Sequence, residues 1–215
     1  MFVQDFMTRQ LVVAREDDKA GPALQRMREE GLRRMPVVDA EGTLVGIVSD
    51  RRLLQALAVP VRRGEFRREV AAPPPLTVGH IMNREILTTT PDTPLEEAAA
   101  VMAMQRVGSL VVMDASGPVG IITETDMFRV FLRLLVGDTP GLRVTVRAPA
   151  FPGILADITA AVGRAGGNLL SLGNLTLDDS LLISFKVADL NAHDLEDILA
   201  ELPVEDVDIR EMSGR

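Results

Sequence analysis

A hydroxyl followed three residues later by a carboxylate, placed at the end of an apolar run, is the arrangement in this chain best suited to chemistry. It stands in Gly120-Ile121-Ile122-Thr123-Glu124-Thr125-Asp126. Two readings fit it. Thr123 and Asp126 can close a capping box at the start of a helix, which stabilises by about 0.5–2 kcal/mol and needs no ligand. The same geometry sets a helix N-terminus, with free N–H groups and a positive dipole end, beside a carboxylate. The first attracts a phosphate, and the second can accept hydrogen bonds from both hydroxyls of a ribose. An earlier stretch, Gly46-Ile47-Val48-Ser49-Asp50-Arg51-Arg52, repeats the Gly, the β-branched pair and the hydroxyl at Ser49. It carries Arg52 where the acid would stand, with Arg51 beside it. An arginine in the first turn of a helix opposes the dipole by a few tenths to ~1 kcal/mol.

Other chemistry finds few residues. His80 and His193 are the only histidines, neither has an acid at metal-ligand spacing, and cysteine is absent. The acidic pairs Glu29-Glu30, Glu96-Glu97 and Asp178-Asp179 fall on helix faces or in turns, where solvation explains them. Neither a P-loop nor a GxGxxG fingerprint occurs. A non-catalytic protein with no metal site and no cofactor is expected.

The net charge of -8 argues against a nucleic-acid partner, which would call for a basic face. Apolar residues make up 47% and aromatic residues 3%, so cores must be built from Val, Leu, Ile, Ala and Met. The most apolar run, Val130 to Val136, is interrupted by Arg133 and is far shorter than the ~20 residues that span a bilayer. No signal-peptide pattern opens the chain. No membrane association and a cytoplasmic location are the expectation.

The elements that position these residues occur twice. Shifting the chain by 75 places Val3, Met7 and Arg9 on Val78, Met82 and Arg84, and Ala23 and Met27 on Ala98 and Met102; the shift is 74 by Gly46 and Gly120. Such self-similarity indicates two copies of one supersecondary unit. Each copy reads as an extended piece (Leu11–Ala14; Ile86–Thr89), an amphipathic helix, two strands around a turn (Met35–Val38 and Leu44–Val48; Leu110–Met113 and Val119–Ile122) and a closing helix (51–58; 125–136). Asp18 can cap the first helix, and Asp92 or Thr93 its counterpart. Between the copies, Arg62, Arg63, Arg67, Arg68 and Pro73-Pro74-Pro75 read as a stiff, solvated linker. After the break at 137–141, strands and helices alternate as β-α-β-β-α-β: Leu142–Arg147, a helix through Ile154–Val162, Leu169–Leu177, Leu181–Val187, Ala192–Leu202 capped by Asn191, and Val204–Arg210. That is the ferredoxin-like order.

Two β-α-β-β-α units ending in Gly-h-h-Ser/Thr-x-x-Asp, together with Pro36-Val37-Val38-Asp39, resemble a CBS-domain pair, or Bateman module. The resemblance implies an α/β (α+β) fold with the units packed as a pseudo-twofold pair and an adenine nucleotide (AMP, ADP, ATP or a related adenosyl ligand) between them. It assigns Asp126 to the ribose and Thr123 to ribose or phosphate. Leu87, Thr88, Val111 and Val112 would flank the base, and Ser49, Arg51 and Arg52 belong to the altered second site. Phe151-Pro152-Gly153-Ile154-Leu155 and Gly167-Asn168-Leu169 resemble an ACT domain, implying an effector at Gly153, Ile154 and Asn168. The polar positions three and five residues before Gly153 hold Ala150 and Ala148, which cannot hydrogen-bond a zwitterion, and Asn168 can equally serve as a left-handed helix terminus. Dimerisation is then what that likeness carries over. The expected boundaries are CBS 1–59, linker 60–77, CBS 78–136, linker 137–141 and ACT 142–215. This order resembles the acetoin-utilisation B-type (AcuB-like) regulatory proteins, implying a homodimeric nucleotide sensor acting on an unidentified regulated protein. The alternative is an assembly module with vestigial ligand sites.

Overall fold

The computed structural model describes residues 1–58, 76–135 and 139–213. The four arginines and three prolines of the expected linker lie outside those residues, as do Val136, Gly137 and Asp138. The described chain divides into two compact units, Met1–Met127 and Phe128–Arg215.

In the first unit the repeat is visible strand by strand. The first copy runs β1 (Ala14–Arg15), α1 (Ala20–Glu29), β2 (Arg34–Val38), β3 (Leu44–Ser49) and α2 (Asp50–Leu57). A single turn, α3 (Val78–Ile81), leads into the second: β4 (Thr88–Thr89), α4 (Leu95–Gln105), β5 (Ser109–Asp114), β6 (Gly117–Thr123) and α5 (Glu124–Leu135). Each copy makes a three-stranded sheet with one parallel and one antiparallel pair. The register is conserved as well: Ala14 pairs Val37 as Thr89 pairs Val112, and both hairpins shift register at the same place, Val37/Val38 and Val112/Met113. Both hairpin turns are closed by an Asp side chain. Asp39 Oδ1 accepts from the Glu41 and Thr43 N–H groups, and Asp114 Oδ1 from the N–H and Oγ of Ser116.

The copies interlock. The segment leading into each repeat adds one bridge to the sheet of the other, Thr8 to Ile121 and Asn83 to Ile47. Each bridge is made of two N–H···O=C bonds of 2.8–3.0 Å. The first core accordingly takes in Val78, Ile81 and Met82 beside Ala14, Leu24, Met27, Met35, Val37, Val48 and Leu53. This crossing explains the glycine that opens both signature stretches. A β-carbon at Gly120 would stand 2.7 Å from Met7 Sδ and 3.0 Å from the Thr8 carbonyl, and one at Gly46 would run into Met82 Sδ.

Helix starts differ from expectation at two places. Asp18 does not cap α1. Its Oδ2 accepts from Arg15 N–H across a tight turn, and the cap position falls to Lys19, which makes no side-chain cap bond. Asp92 and Thr93 are likewise spent in the turn before α4, on Thr90, so Pro94 stands at the cap. The residue before a proline is kept out of the helical region, which leaves Thr93 outside the helix.

The second unit contains the end of α5 and then β7 (Gly141–Pro149), α6 (Ile154–Arg164), β8 (Asn168–Leu177), β9 (Ser180–Ala188), α7 (Ala192–Ala200) and β10 (Glu205–Met212). Its sheet is antiparallel throughout, in the order β10-β7-β9-β8. Leu142, Val144, Val146 and Ala148 alternate onto the face that meets Ile154, Ile158 and Val162 of α6 and Leu195 and Leu199 of α7. Asn191 caps α7 by accepting from Asp194 N–H at 2.9 Å. The left-handed residue after α6 is Gly166 (φ 84), not Asn168, which is the first residue of β8. Glycine adopts that backbone without a β-carbon clash, so the asparagine is released into the strand. Phe128, Phe131, Leu132 and Leu134 of α5 are exposed, whereas Val130 is buried. Among the described residues no helix is long and apolar enough to cross a membrane.

Candidate ligand cleft in the duplicated unit

The two hydroxyl-ended stretches occupy equivalent positions and differ in how they are closed. Thr123 N–H and Oγ1–H both donate to Asp126 Oδ2, at 3.0 and 2.7 Å, while Asp126 N–H returns a bond to Thr123 Oγ1 at 3.3 Å. This is the reciprocal capping box, and it leaves Asp126 only 8% exposed. In the first copy half of the box survives: Ser49 Oγ accepts from Arg52 N–H at 3.2 Å, and Arg52 has no acceptor to offer in return.

The altered copy opens onto a cleft of about 200 Å³. One wall is the end of β3 (Ile47, Val48, Ser49) with Arg52 from the first turn of α2 and Arg34 from the start of β2. The facing wall comes from the second copy, as Asn83 and Glu85–Leu87 before β4 and Arg106–Ser109 between α4 and β5. Asn83 lies there because its backbone is bridged to Ile47. Arg34 lies there because Gly108 has no side chain: a β-carbon would meet the two Arg34 Nη atoms at 2.6 and 2.7 Å and Glu124 Oε2 at 2.8 Å. Arg106 sits at the C-cap of α4 with φ 54 and ψ 41, in the left-handed region.

Of the residues assigned to a nucleotide from sequence, Ser49, Arg52 and Leu87 come together on this cleft. Arg51 is exposed and is not part of its lining. Thr88 pairs with Val111 between β4 and β5; Val111 and Val112 are completely buried, so their side chains belong to the core. Thr123 and Asp126 are not among the residues that line it. In the second unit Gly153 has φ 104 at the start of α6, Ile154 is buried in the core at 1% exposure, and Asn168 is exposed and pairs with Ala188. Sequence reading did not single out Arg34, Glu85 or Arg106. The signal was in the repeat itself, because these positions match Ser109, Gln10 and Gly31 at the offset of 75.

A cleft with apolar walls, a serine-capped helix start and several guanidinium groups suits a ligand with a flat apolar part and an anionic part. Comparison with known proteins gives a consistent result. The CBS domain family profile matches residues 3–59 and 78–133. The chain is 30% identical over 138 residues to the uncharacterized protein MJ1404 of Methanocaldococcus jannaschii; the match covers 63% of this chain and 33% of that protein, so it spans about a third of the relative's length. Among solved structures it is similar to the CBS domain pair of protein MJ0100 in complex with 5′-methylthioadenosine and S-adenosyl-L-methionine, with TM-score 0.51 and 25% identity over 61% of this chain and 95% of that one. It is also similar to a Vibrio cholerae structure named for acetoin utilization (AcuB), with TM-score 0.50 and 29% identity over 62% and 92% of the two chains.

Proposed function

This chain belongs to the CBS-domain family, and from that membership we infer that it is a regulatory protein without catalytic activity whose paired repeats sense an adenosyl ligand such as AMP, ADP, ATP or S-adenosylmethionine. CBS pairs are regulatory and bind ligands of this class. The observation that carries the reading is the cleft of the first unit, walled by both copies of the repeat. A ligand held by two walls has different contacts in each relative position of the copies, which is the differential affinity that a switch requires. Asp126, held in its capping box and not part of that cleft's lining, is assigned to the ribose hydroxyls of a ligand at the twin position. The likeness to the structure named for acetoin utilization supports a role near acetoin or acetyl metabolism, exerted on a separate regulated protein.

We read residues 142–215 as an ACT domain. The β-α-β-β-α-β run with its strands ordered fourth, first, third, second supports the ferredoxin-like assignment. The alanines at 148 and 150 argue against an amino-acid effector, and homodimerisation is the role assigned to this unit.

Titration calorimetry of the full chain with AMP, ADP, ATP and S-adenosylmethionine tests the sensing reading. At least one should bind, and Asp126→Ala should weaken it roughly 10- to 100-fold, the worth of one or two charge-assisted hydrogen bonds. Asp126→Asn, which retains an acceptor for the cap, controls for loss of fold. Silence from all four ligands on the wild type would favour a second reading, an assembly module. The exposed apolar face of α5, with Phe128 67% and Phe131 56% accessible, supports that reading.

A further inference from the structure

Three arginines from three separate elements converge on one cleft in a chain of net charge -8. The repeat supplies an internal reference for each. Arg34 corresponds to Ser109, since Arg34 pairs with Ser49 as Ser109 pairs with Thr123. Arg52 corresponds to Asp126, each being bonded through its N–H to the hydroxyl three residues earlier. Arg106 corresponds to Gly31, because the turns after α1 and α4 close identically, Leu32 N–H on Met27 O and Val107 N–H on Met102 O. At these three positions the cleft carries three positive charges where the twin carries one negative. Changes in the opposite sense are Glu85 for Gln10, Gly108 for Arg33 and Ser109 for Arg34. None of the three guanidiniums has an ion-pair partner among the described residues.

Arg106 has a second peculiarity. Its backbone holds the left-handed conformation that Gly31 holds in the twin, φ 54 against φ 66. A β-carbon is disfavoured there, and glycine is the usual occupant of that position. Helix termination alone would be better served by glycine, so the side chain is what the position retains. Arg106 lines the cleft together with Arg34, whose guanidinium lies against the bare backbone of Gly108.

We propose that the Arg34–Arg52–Arg106 cleft is a polyphosphate site: it binds contiguous phosphates through guanidinium groups and, with arginine in place of the ribose acceptor, does not need a sugar. Guanidinium forks match phosphate oxygens in pairs, and a cluster in which they outnumber the neighbouring carboxylates Glu85 and Glu124 is stabilised by a ligand of high charge density. The phosphates could belong to a free inorganic chain or to the tail of a nucleoside triphosphate. The proposal does not depend on the assignment of Asp126 to a ribose.

The test is calorimetry of the full chain with inorganic tripolyphosphate, ATP and adenosine, each at low and high salt, on the wild type, Arg106→Gly and Arg52→Asp. Both variants install the residue of the twin site, and thermal melts establish that they fold. Tripolyphosphate should bind the wild type, weaken with salt, and lose roughly 10- to 100-fold in affinity in either variant. Tripolyphosphate as tight as ATP identifies a free polyanion; ATP distinctly tighter identifies a nucleotide tail; both support the site. Absence of tripolyphosphate binding by the wild type, or equal binding in all three proteins, overturns it. Adenosine that fails to bind while tripolyphosphate binds would count against the ribose assignment of Asp126 and leave this site standing.

Discussion

Replacing Arg106 with glycine should make the unliganded protein more stable, an outcome opposite to that of most substitutions at an ordered position. An L-residue with a β-carbon costs roughly 1–2 kcal/mol in the left-handed region, and Arg106 is held there at φ 54, ψ 41. Glycine removes that strain but loses more backbone entropy on folding, about 0.5–1 kcal/mol. The balance is a gain of about 0.5–1 kcal/mol. At about 2–4 °C per kcal/mol for a chain of this size, Tm should rise by about 1–4 °C. The reciprocal Gly31→Arg should lower Tm by a similar amount, because Gly31 has φ 66. Differential scanning calorimetry in an anion-free, non-phosphate buffer reads both. With tripolyphosphate present at ~100 times the wild-type Kd, the wild type should gain about 2.7 kcal/mol and the variant, binding roughly 10- to 100-fold more weakly, only about 0.4–1.4 kcal/mol, so the order of the two proteins inverts. A lower Tm for Arg106→Gly without ligand would refute the reasoning, since it would make the arginine a structural anchor and not a residue kept for the cleft.

Two further outcomes follow from other parts of the fold. Gly120→Ala puts a β-carbon 2.7 Å from Met7 Sδ and 3.0 Å from the Thr8 carbonyl, and overpacking of that kind costs about 1–3 kcal/mol. Urea unfolding should show it as a lower midpoint at unchanged slope; an unchanged midpoint would mean that the Met7–Thr8 segment is not held against β6. Ser116→Ala should raise the pKa of Asp114, whose carboxyl is held below its ordinary value first by the Ser116 hydroxyl and then by the Ser116 N–H. Because the folded value is the lower one, the turn's contribution to stability is present above the unfolded carboxylate pKa and is lost as pH falls through the folded value. A carboxyl NMR titration reports this, and an unmoved Asp114 would remove the hydroxyl from the explanation.

Much of the architecture was legible because periodicity and duplication are local signals. Alternation at Leu142–Ala148 and the helical spacing of Ile154, Ile158 and Val162 name their own faces, and Asn191 reads as a cap because nothing nearby competes for it. Asp18 and Asp92 look like caps in sequence and are not, for the opposite reason: each has a neighbouring turn to close, and only three-dimensional register decides which donor a short side chain reaches. The cleft was harder to see. It is built from Ser49 of one copy and Leu87 and Arg106 of the other, brought together by the Asn83–Ile47 bridge, a long-range pairing with no local signature. Its arginines stand where the copies disagree, whereas the repeat is recognised by where they agree. Gly31 against Arg106 is the informative mismatch, and its meaning appears only once both are known to be left-handed.

The crossing of Met7–Thr8 and Met82–Asn83 between the two sheets makes the duplication indivisible. A fragment ending near residue 58 would keep β1–β3 but lose Asn83, baring the N–H and C=O of Ile47, the groove over Gly46 and the part of its core filled by Val78, Ile81 and Met82. Such a half-molecule would have an open sheet edge and an unfilled hollow, and the most fitting surface to cover them would be the entry segment of another copy. The halves are therefore one folding unit and not two beads on a string.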